Sequence, residues 1–468
     1  MKYVSTRGDA PVLGFGDVLL AGLAADGGLY LPEAWPQLPP LEDLRGLSYV
    51  QVAVEVMWPF VEGEIDRDAF ERIVADSYAT FDTPEVCPVV PLGATASGAE
   101  LWLLELFRGP TLAFKDVALQ LVGRLFDHVL TERGERVCIL GATSGDTGSA
   151  AIEAVRDRSH VDIFVLFPDG RVSDVQRRQM TTVPADNVHA VAVEGTFDDC
   201  QDLVKAAFAD VVFRDEVRLS AVNSINWARV MAQIVYYVTA HLQVAPDGGP
   251  VTFCVPTGNF GNILAGWAAK RMGLPVDRLV VASNRNDILT RFFTTGTMEI
   301  RGVVPTSSPS MDIQVSSNLE RLLFETLDRD GAAIAEMMSR FRADGTVSVP
   351  ADVLEALRAE FDAGRVDDES AAAVIRRVHE RMGMLVDPHT AVAVGTAEGL
   401  EGDPSVPVVA LATAHPAKFP DAVEAAVGVR PPLPEHLADL FERSERIEHA
   451  PNDLGAVESL VRAELAAE

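Results

Sequence analysis

From Leu101 onward, short β-branched apolar runs alternate with segments of helical periodicity, and this alternation restricts the fold more than any other feature of the chain. The runs are RVCIL around Val137, VDIFVLF around Phe164, VHAVAV around Val191, VTFCV around Phe253, RLVVAS around Val280 and VPVVALA around Val409. Each has the length and residue type of a buried strand. Between them stand DVALQLVGRLFDHVL, SAAIEAVRD, DCQDLVKAAFAD, WARVMAQIVYYVTAHL and NILAGWAAKRM, whose apolar residues recur at helical spacing. Such alternation builds parallel sheets covered by helices, so the fold class is α/β. So many strands need two or more such sheets.

Residues 1–95 form a block of different composition, with the Pro/Gly-rich loop DGGLYLPEAWPQLPPLEDL and helical patterns over Tyr49–Pro59 and Asp68–Tyr78. Pro84, Pro88 and Pro91 mark its end. The expected division is an N-terminal domain at 1–95, a small α/β domain at 96–220 and a larger one at 221–430. A charged helical insertion is expected at 318–382 and a polar helical tail at 431–468.

The formal net charge of −30 is spread along the chain as a solvated acidic surface. It repels phosphate backbones and anionic lipid, so neither nucleic acid nor a membrane is expected as a partner. An anionic substrate would need a local cationic pocket. Cys87, Cys138, Cys200 and Cys254 are far apart and form no CxxC, so neither a metal site nor a disulfide framework is expected. The start MKYVSTRGDAP lacks the apolar core of a secretion signal, and no run of about 18 apolar residues occurs. A cytoplasmic protein is expected.

Three stretches point to chemistry. In CILGATSGDTGSAAIEA a strand ends near Leu140, a loop of small and hydroxyl residues follows, and a helix is expected from about Ser149. In FCVPTGNFGNILAGWAAK a strand ends near Val255 and PTGNFGN leads into a helix. Both turns present backbone N–H groups and a helix N-terminus at the carboxyl end of a strand, a setting that attracts anions. Neither is a Walker A or a GxGxxG motif, and each could equally be an ordinary tight connection. The third stretch is GPTLAFKDVALQ, where Lys115 sits at the start of a helix with an apolar face. Apolar neighbours and the positive helix end both disfavour an ammonium and lower its pKa. Such a lysine can attack an aldehyde to form a Schiff base or shuttle protons. The residues also permit an inert lysine snorkelling at a helix start.

Several phrases together resemble the longer type of threonine synthase, pyridoxal-phosphate enzymes of the tryptophan-synthase-β group (fold type II). They include STRG at Ser5, DGGLYLP at Asp26, ELFRGPTLAFKD at Glu105, GATSGDTGSAA at Gly141 and VEGTFDDCQDLVK at Val193. Further on come NSINWARVMAQIVYY at Asn223, VPTGNFGNILAG at Val255, NDILTRFF at Asn286, SPSMDIQVSSN at Ser308, DPHTA at Asp387 and ATAHPAKFPDAV at Ala412. The resemblance implies a fold type II enzyme with two mostly parallel α/β domains, an extra N-terminal domain and a helical insertion.

It also implies roles. Lys115 would carry pyridoxal phosphate, and Gly258, Asn259, Phe260 and Gly261 would cradle the cofactor phosphate. Thr413 would face the pyridine nitrogen, and the loop Thr143, Ser144, Gly145, Asp146 and Thr147 would receive the substrate carboxylate. Family members usually carry aspartate where this chain has Asn262, whose amide is expected to cap the helix start. The implied reaction is a γ-elimination and β-hydration turning O-phospho-L-homoserine and water into L-threonine and phosphate, the last step of threonine biosynthesis. Arg229 and Lys418 are the candidates to bind the substrate phosphate, with a helix salt bridge and a surface loop charge as their plain alternatives. His389 and His415 read as structural, and Asp116 as a helix-start residue that holds Lys115 in place. A monomer or small homo-oligomer is expected. A serine or threonine dehydratase on the same fold and a relative that has lost the cofactor are the rival readings.

Overall fold

The computed structural model describes residues 1–221 and 223–467. All six apolar runs are strands. The larger sheet has the order Phe361–Arg365, Val276–Ser283, Val251–Pro256, Val408–Ala412, Glu100–Glu105 and Val89–Ala94. Its neighbours run parallel except the last pair, which is antiparallel. A second, wholly parallel sheet has the order Glu448–Ala450, Val188–Val193, Val161–Pro168, Val137–Ala142 and Leu219–Ser220.

The helix Trp227–Val244 is buried around nearly its whole circumference, as its continuous apolar sequence requires. It packs on the helices Tyr49–Val61, Lys115–Arg133 and Gly261–Arg271, joining the N-terminal block to the larger sheet. The N-terminal block has clear local signals. Ser48 and Gln51 form a capping box on Tyr49–Val61, and Asp66 caps Arg67–Tyr78.

Several boundaries differ from expectation. The division at residue 95 falls between two paired strands, since Val89–Ala94 hydrogen-bonds to Glu100–Glu105. The latter lies in the larger sheet, not with the rest of 96–220. Region 318–382 is largely helical, but it contributes Phe361–Arg365 as the edge strand of the larger sheet. An edge strand pairs on one side only, so FDAGR needs no continuous apolar run. The tail is not wholly helical either: Glu448–Ala450 extends the second sheet before the helix Leu454–Ala467. The helix expected from Ser149 already begins at Asp146. Among the described residues no helix is long and apolar enough to cross a membrane.

Candidate active site

Three adjacent parallel strands of the larger sheet deliver the candidate residues. Glu100–Glu105 leads through the Gly109–Thr111 turn to Lys115, Val408–Ala412 leads directly to Thr413, and Val251–Pro256 leads to Gly258–Gly261. The carboxyl ends of parallel strands are where α/β folds bind ligands. The second sheet contributes the fourth element, because Val137–Ala142 runs into Thr143–Thr147.

Lys115 opens the helix Lys115–Arg133 and is buried. The Phe114 N–H donates to the Thr413 carbonyl at 2.9 Å and the His415 N–H to the Leu112 carbonyl at 3.0 Å. These bonds fix Lys115 and Thr413 in one register. The Lys115 Nζ lies 5.1 Å from the Phe114 ring centroid and 3.1 Å from Asp146 Oδ2. Burial lowers its pKa; Asp146 opposes this, while Lys418 and Arg229 push it lower still, and the net shift is downward.

Asp146 is the hub of the site. Burial by itself would raise its pKa, but Lys115, Lys418, His389 and the Gln176 hydrogen bond together outweigh burial and hold the carboxyl well below the usual range. Oδ1 lies 2.9 Å from Lys418 Nζ and accepts from Gln176 Nε2 at 2.9 Å. Oδ2 accepts from Ser310 Oγ at 3.2 Å. Lys418 is not a surface charge: it is 0% exposed and also donates to the Thr111 carbonyl at 2.8 Å. Two lysines flank one carboxylate, and the Arg229 charge also acts on Lys115, which leaves a locally cationic pocket in an acidic protein.

Arg229 lies in the first turn of its helix with a buried side chain. Its Nε and Nη1 have no hydrogen-bond partner among the described residues, which excludes the helix salt bridge. Burial pushes its pKa down to about 10, so it stays cationic at neutral pH.

The Thr143–Thr147 loop is braced from within. Thr143 Oγ1 accepts from the Gly145 and Gly148 N–H groups, both at 2.9 Å. Gly145 has φ +139°, and a Cβ there would collide with the Gln176 amide. Ser144 is exposed and Thr147 half-buried.

The Gly258–Gly261 turn is held by segment 310–318. Ser316 Oγ donates to the Gly258 carbonyl at 2.7 Å and Asn318 Nδ2 to the Asn259 carbonyl at 3.0 Å. A Cβ on Gly258 would stand 2.9 Å from the Ser310 carbonyl oxygen, too close for any other residue. Asn259 is exposed, whereas Phe260 turns into the core against Phe293 and Phe361. Arg321, fully buried, donates to Asn318 Oδ1 and to the Tyr30 and Ile225 carbonyls, pinning Asn318 in place.

Asn262 does not cap its helix. Its Oδ1 accepts from Tyr236 Oη at 2.6 Å and Tyr237 Oη at 2.9 Å, and its buried Nδ2 has no partner among the described residues. The Asp116 carboxylate is engaged by Thr111 and not by the Lys115 amine. It accepts from the Thr111 N–H at 2.8 Å and Oγ1 at 2.6 Å, shaping the turn before the lysine, and burial pushes its pKa up to about 6.

His389 is placed by Asp387, whose Oδ2 accepts from Nδ1 at 2.6 Å, and its Nε2 accepts the Ser310 N–H at 3.2 Å. It therefore supports Ser310 and, through it, Asp146. His415 accepts the Ala417 N–H at 3.1 Å, and burial pushes its pKa down to about 4. Sequence reasoning missed Gln176, Ser310, Asn318 and Arg321. SPSMDIQVSSN hinted at two of them; Gln176 and Arg321 carry no local signal.

The residues present fit pyridoxal phosphate. A helix start at Gly261 offers amides without intrahelical acceptors. Three buried donors without partners among the described residues, Nε and Nη1 of Arg229 and Nδ2 of Asn262, match the needs of phosphate groups. A buried lysine of lowered pKa matches the aldehyde.

The comparisons agree with this chemistry. Residues 2–78 match the family described as threonine synthase N terminus, residues 82–340 that of pyridoxal-phosphate dependent enzymes, and residues 390–461 that of threonine synthase, C-terminal. A threonine synthase of Pseudomonas aeruginosa is 55% identical over 465 residues, covering 98% of each chain. The crystal structure of a pyridoxal-phosphate-bound threonine synthase from Brucella melitensis superposes with a TM-score of 0.95 at 55% identity, covering 99% of each chain. The yeast threonine synthase structure gives 0.94 at 39% identity, covering 100% of this chain and 99% of that one. Likeness that runs from end to end, over a site suited to the cofactor, makes the chain a member of the threonine synthase family of pyridoxal-phosphate enzymes.

Proposed function

We propose that the protein converts O-phospho-L-homoserine and water into L-threonine and phosphate by γ-elimination and β-hydration, the last step of threonine biosynthesis. The observation that carries this reading is the buried Lys115 amine grouped with Asp146, Lys418 and Arg229. The substrate has an amine, a carboxylate and a phosphate, and the pocket offers a counterpart to each. The Thr143–Thr147 loop receives the carboxylate, and Arg229 and Lys418 receive the phosphate. Gly258, Asn259, Phe260, Gly261 and Asn262 would hold the cofactor phosphate, and the Thr413 hydroxyl would serve its pyridine nitrogen.

Bound pyridoxal phosphate supplies an electron sink for the pair left when the Cα–H bond breaks. Lys115 Nζ, as a free amine, takes the Cα proton and later returns a proton to Cα. Its lowered pKa raises the share of neutral amine near pH 7. Asp146 raises the Lys115 pKa, but burial, Lys418 and Arg229 outweigh it, so the net shift favours the neutral amine. Arg229, cationic and with Nε and Nη1 unpartnered among the described residues, is free to form a bidentate fork on phosphate.

This reading has a cytoplasmic enzyme, a monomer or small homo-oligomer, acting on a small molecule. The acidic surface and four free, buried thiols support it. A steady-state comparison of phosphohomoserine with threonine and serine tests the proposal against a dehydratase. Phosphate and threonine in equal amounts from phosphohomoserine is the expected outcome. A 2-oxo acid from threonine or serine, with no phosphate release from phosphohomoserine, would overturn it.

A further inference from the structure

Away from the active site, a histidine and two glutamates converge where the C-terminal helix meets the second sheet. Along the helix Leu454–Ala467, Val457 and Val461 are buried in one apolar cluster with Phe164 and Val191. The stripe continues through Leu465, which packs on the same cluster, and Glu464 stands beside it on the same turn.

The sheet presents matching groups opposite it. Glu448 is in register with Val191 on the neighbouring parallel strand, and His189 lies two residues before Val191. Side chains two residues apart on a strand share a face, so His189 and Glu448 leave the sheet on the same side. His189 Nδ1 lies 3.0 Å from Glu448 Oε1 and 4.0 Å from Glu464 Oε2. One ligand atom from each residue falls within 4.8 Å of the other two.

An ordinary histidine–carboxylate pair leaves this arrangement incomplete. One N–H can serve one oxygen. Among the described residues, the buried Glu448 Oε2 has no hydrogen-bond partner and neither acid pairs with a lysine or arginine. The imidazole itself is 7% exposed and stacked on Phe164, with ring centroids 4.2 Å apart and planes 7° apart, so Nδ1 is held toward the carboxylates.

We propose that His189, Glu448 and Glu464 bind one divalent cation of the zinc type. One imidazole nitrogen and two carboxylates suit Zn²⁺, with water completing the coordination. The ion would staple the strand Glu448–Ala450 and the helix Leu454–Ala467 to the sheet. The same C-terminal segment pairs Glu445 with Arg177 and Arg178 and brings His436 Nε2 to 3.3 Å from the Pro110 carbonyl, in the turn that leads to Lys115. The role is structural, since no ligand comes from the active site.

The test uses the full-length holoenzyme, stripped with a chelator and titrated with ZnCl₂ and, as a spectroscopic substitute, CoCl₂. One equivalent should bind, raise the melting temperature and, with cobalt, give visible d–d absorption. The Glu448→Gln/Glu464→Gln variant should lose that equivalent while keeping phosphohomoserine turnover. Glu464→Gln alone, at a side chain 43% exposed and so tolerant of change, should weaken binding by about tenfold or more. No saturable equivalent, or one that both variants retain unchanged, would overturn the site and leave a plain histidine–carboxylate contact.

Discussion

Asp146 stands 3.1 Å from the Lys115 amine, and this contact joins a loop of one sheet to the lysine delivered by the other. The same carboxylate holds Lys418 at 2.9 Å. The two neighbours act on Lys115 in opposite directions: Asp146 raises its pKa against burial, and Lys418 lowers it. Replacing each should therefore move Lys115 in opposite senses. In the cofactor-free protein, the pH midpoint for reaction of the Lys115 amine with an amine-directed reagent should fall in Asp146→Asn and rise in Lys418→Met. Shifts of the same sign, or none, would mean that the observed pairing does not control the amine.

Arg229 is cationic and buried, and its Nε and Nη1 are without partners among the described residues. Removing one side of a buried charge-assisted contact costs about 2–4 kcal/mol, on the order of 30- to 1000-fold in binding. Arg229→Gln should raise KM for phosphohomoserine by that order, with a smaller effect on the dissociation constant of pyridoxal phosphate. If the cofactor constant alone changes, Arg229 serves the cofactor phosphate and not the substrate.

Asp116 makes stability depend on pH. Its folded pKa is about 6, raised by burial, against about 3.9 in the unfolded chain. A raised carboxyl pKa means that the folded state holds the proton more tightly. The stabilisation is complete below pH ~4 and is lost as pH rises through ~6. Asp116→Asn cannot ionise and keeps an acceptor for Thr111. Its stability relative to the unchanged protein should improve by on the order of 3 kcal/mol between pH 4 and pH 7. Thermal melts of both proteins across that range measure it. A constant difference would show that Asp116 has an ordinary pKa.

The legible parts of this molecule were those written locally. Six apolar runs became strands because a strand buried on both faces needs a continuous apolar sequence. Lys115 and the Gly258–Gly261 turn were legible because helix starts and glycine turns depend on neighbours in sequence. The three-residue strand Glu448–Ala450 and the edge strand Phe361–Arg365 were hidden, since pairing partners 257 or about 80 positions away decide them. Gln176, Ser310 and Arg321 act only through contacts that the fold creates. Lys418 was misjudged in one alternative as a surface charge for the same reason: its burial under Thr111 and Asp146 arises from chain segments hundreds of residues apart.

The central claim is that Lys115 holds the cofactor and moves the protons of threonine formation. The most direct measurement is borohydride reduction of the purified yellow holoenzyme, followed by peptide mapping, beside a phosphate-release assay on phosphohomoserine with Lys115→Ala. The cofactor should be trapped on the peptide containing Lys115, and the variant should lose at least about a thousandfold in rate, as expected when an essential acid–base and covalent residue is removed. Label on another lysine, or phosphate release by Lys115→Ala at the rate of the unchanged protein, would contradict the claim.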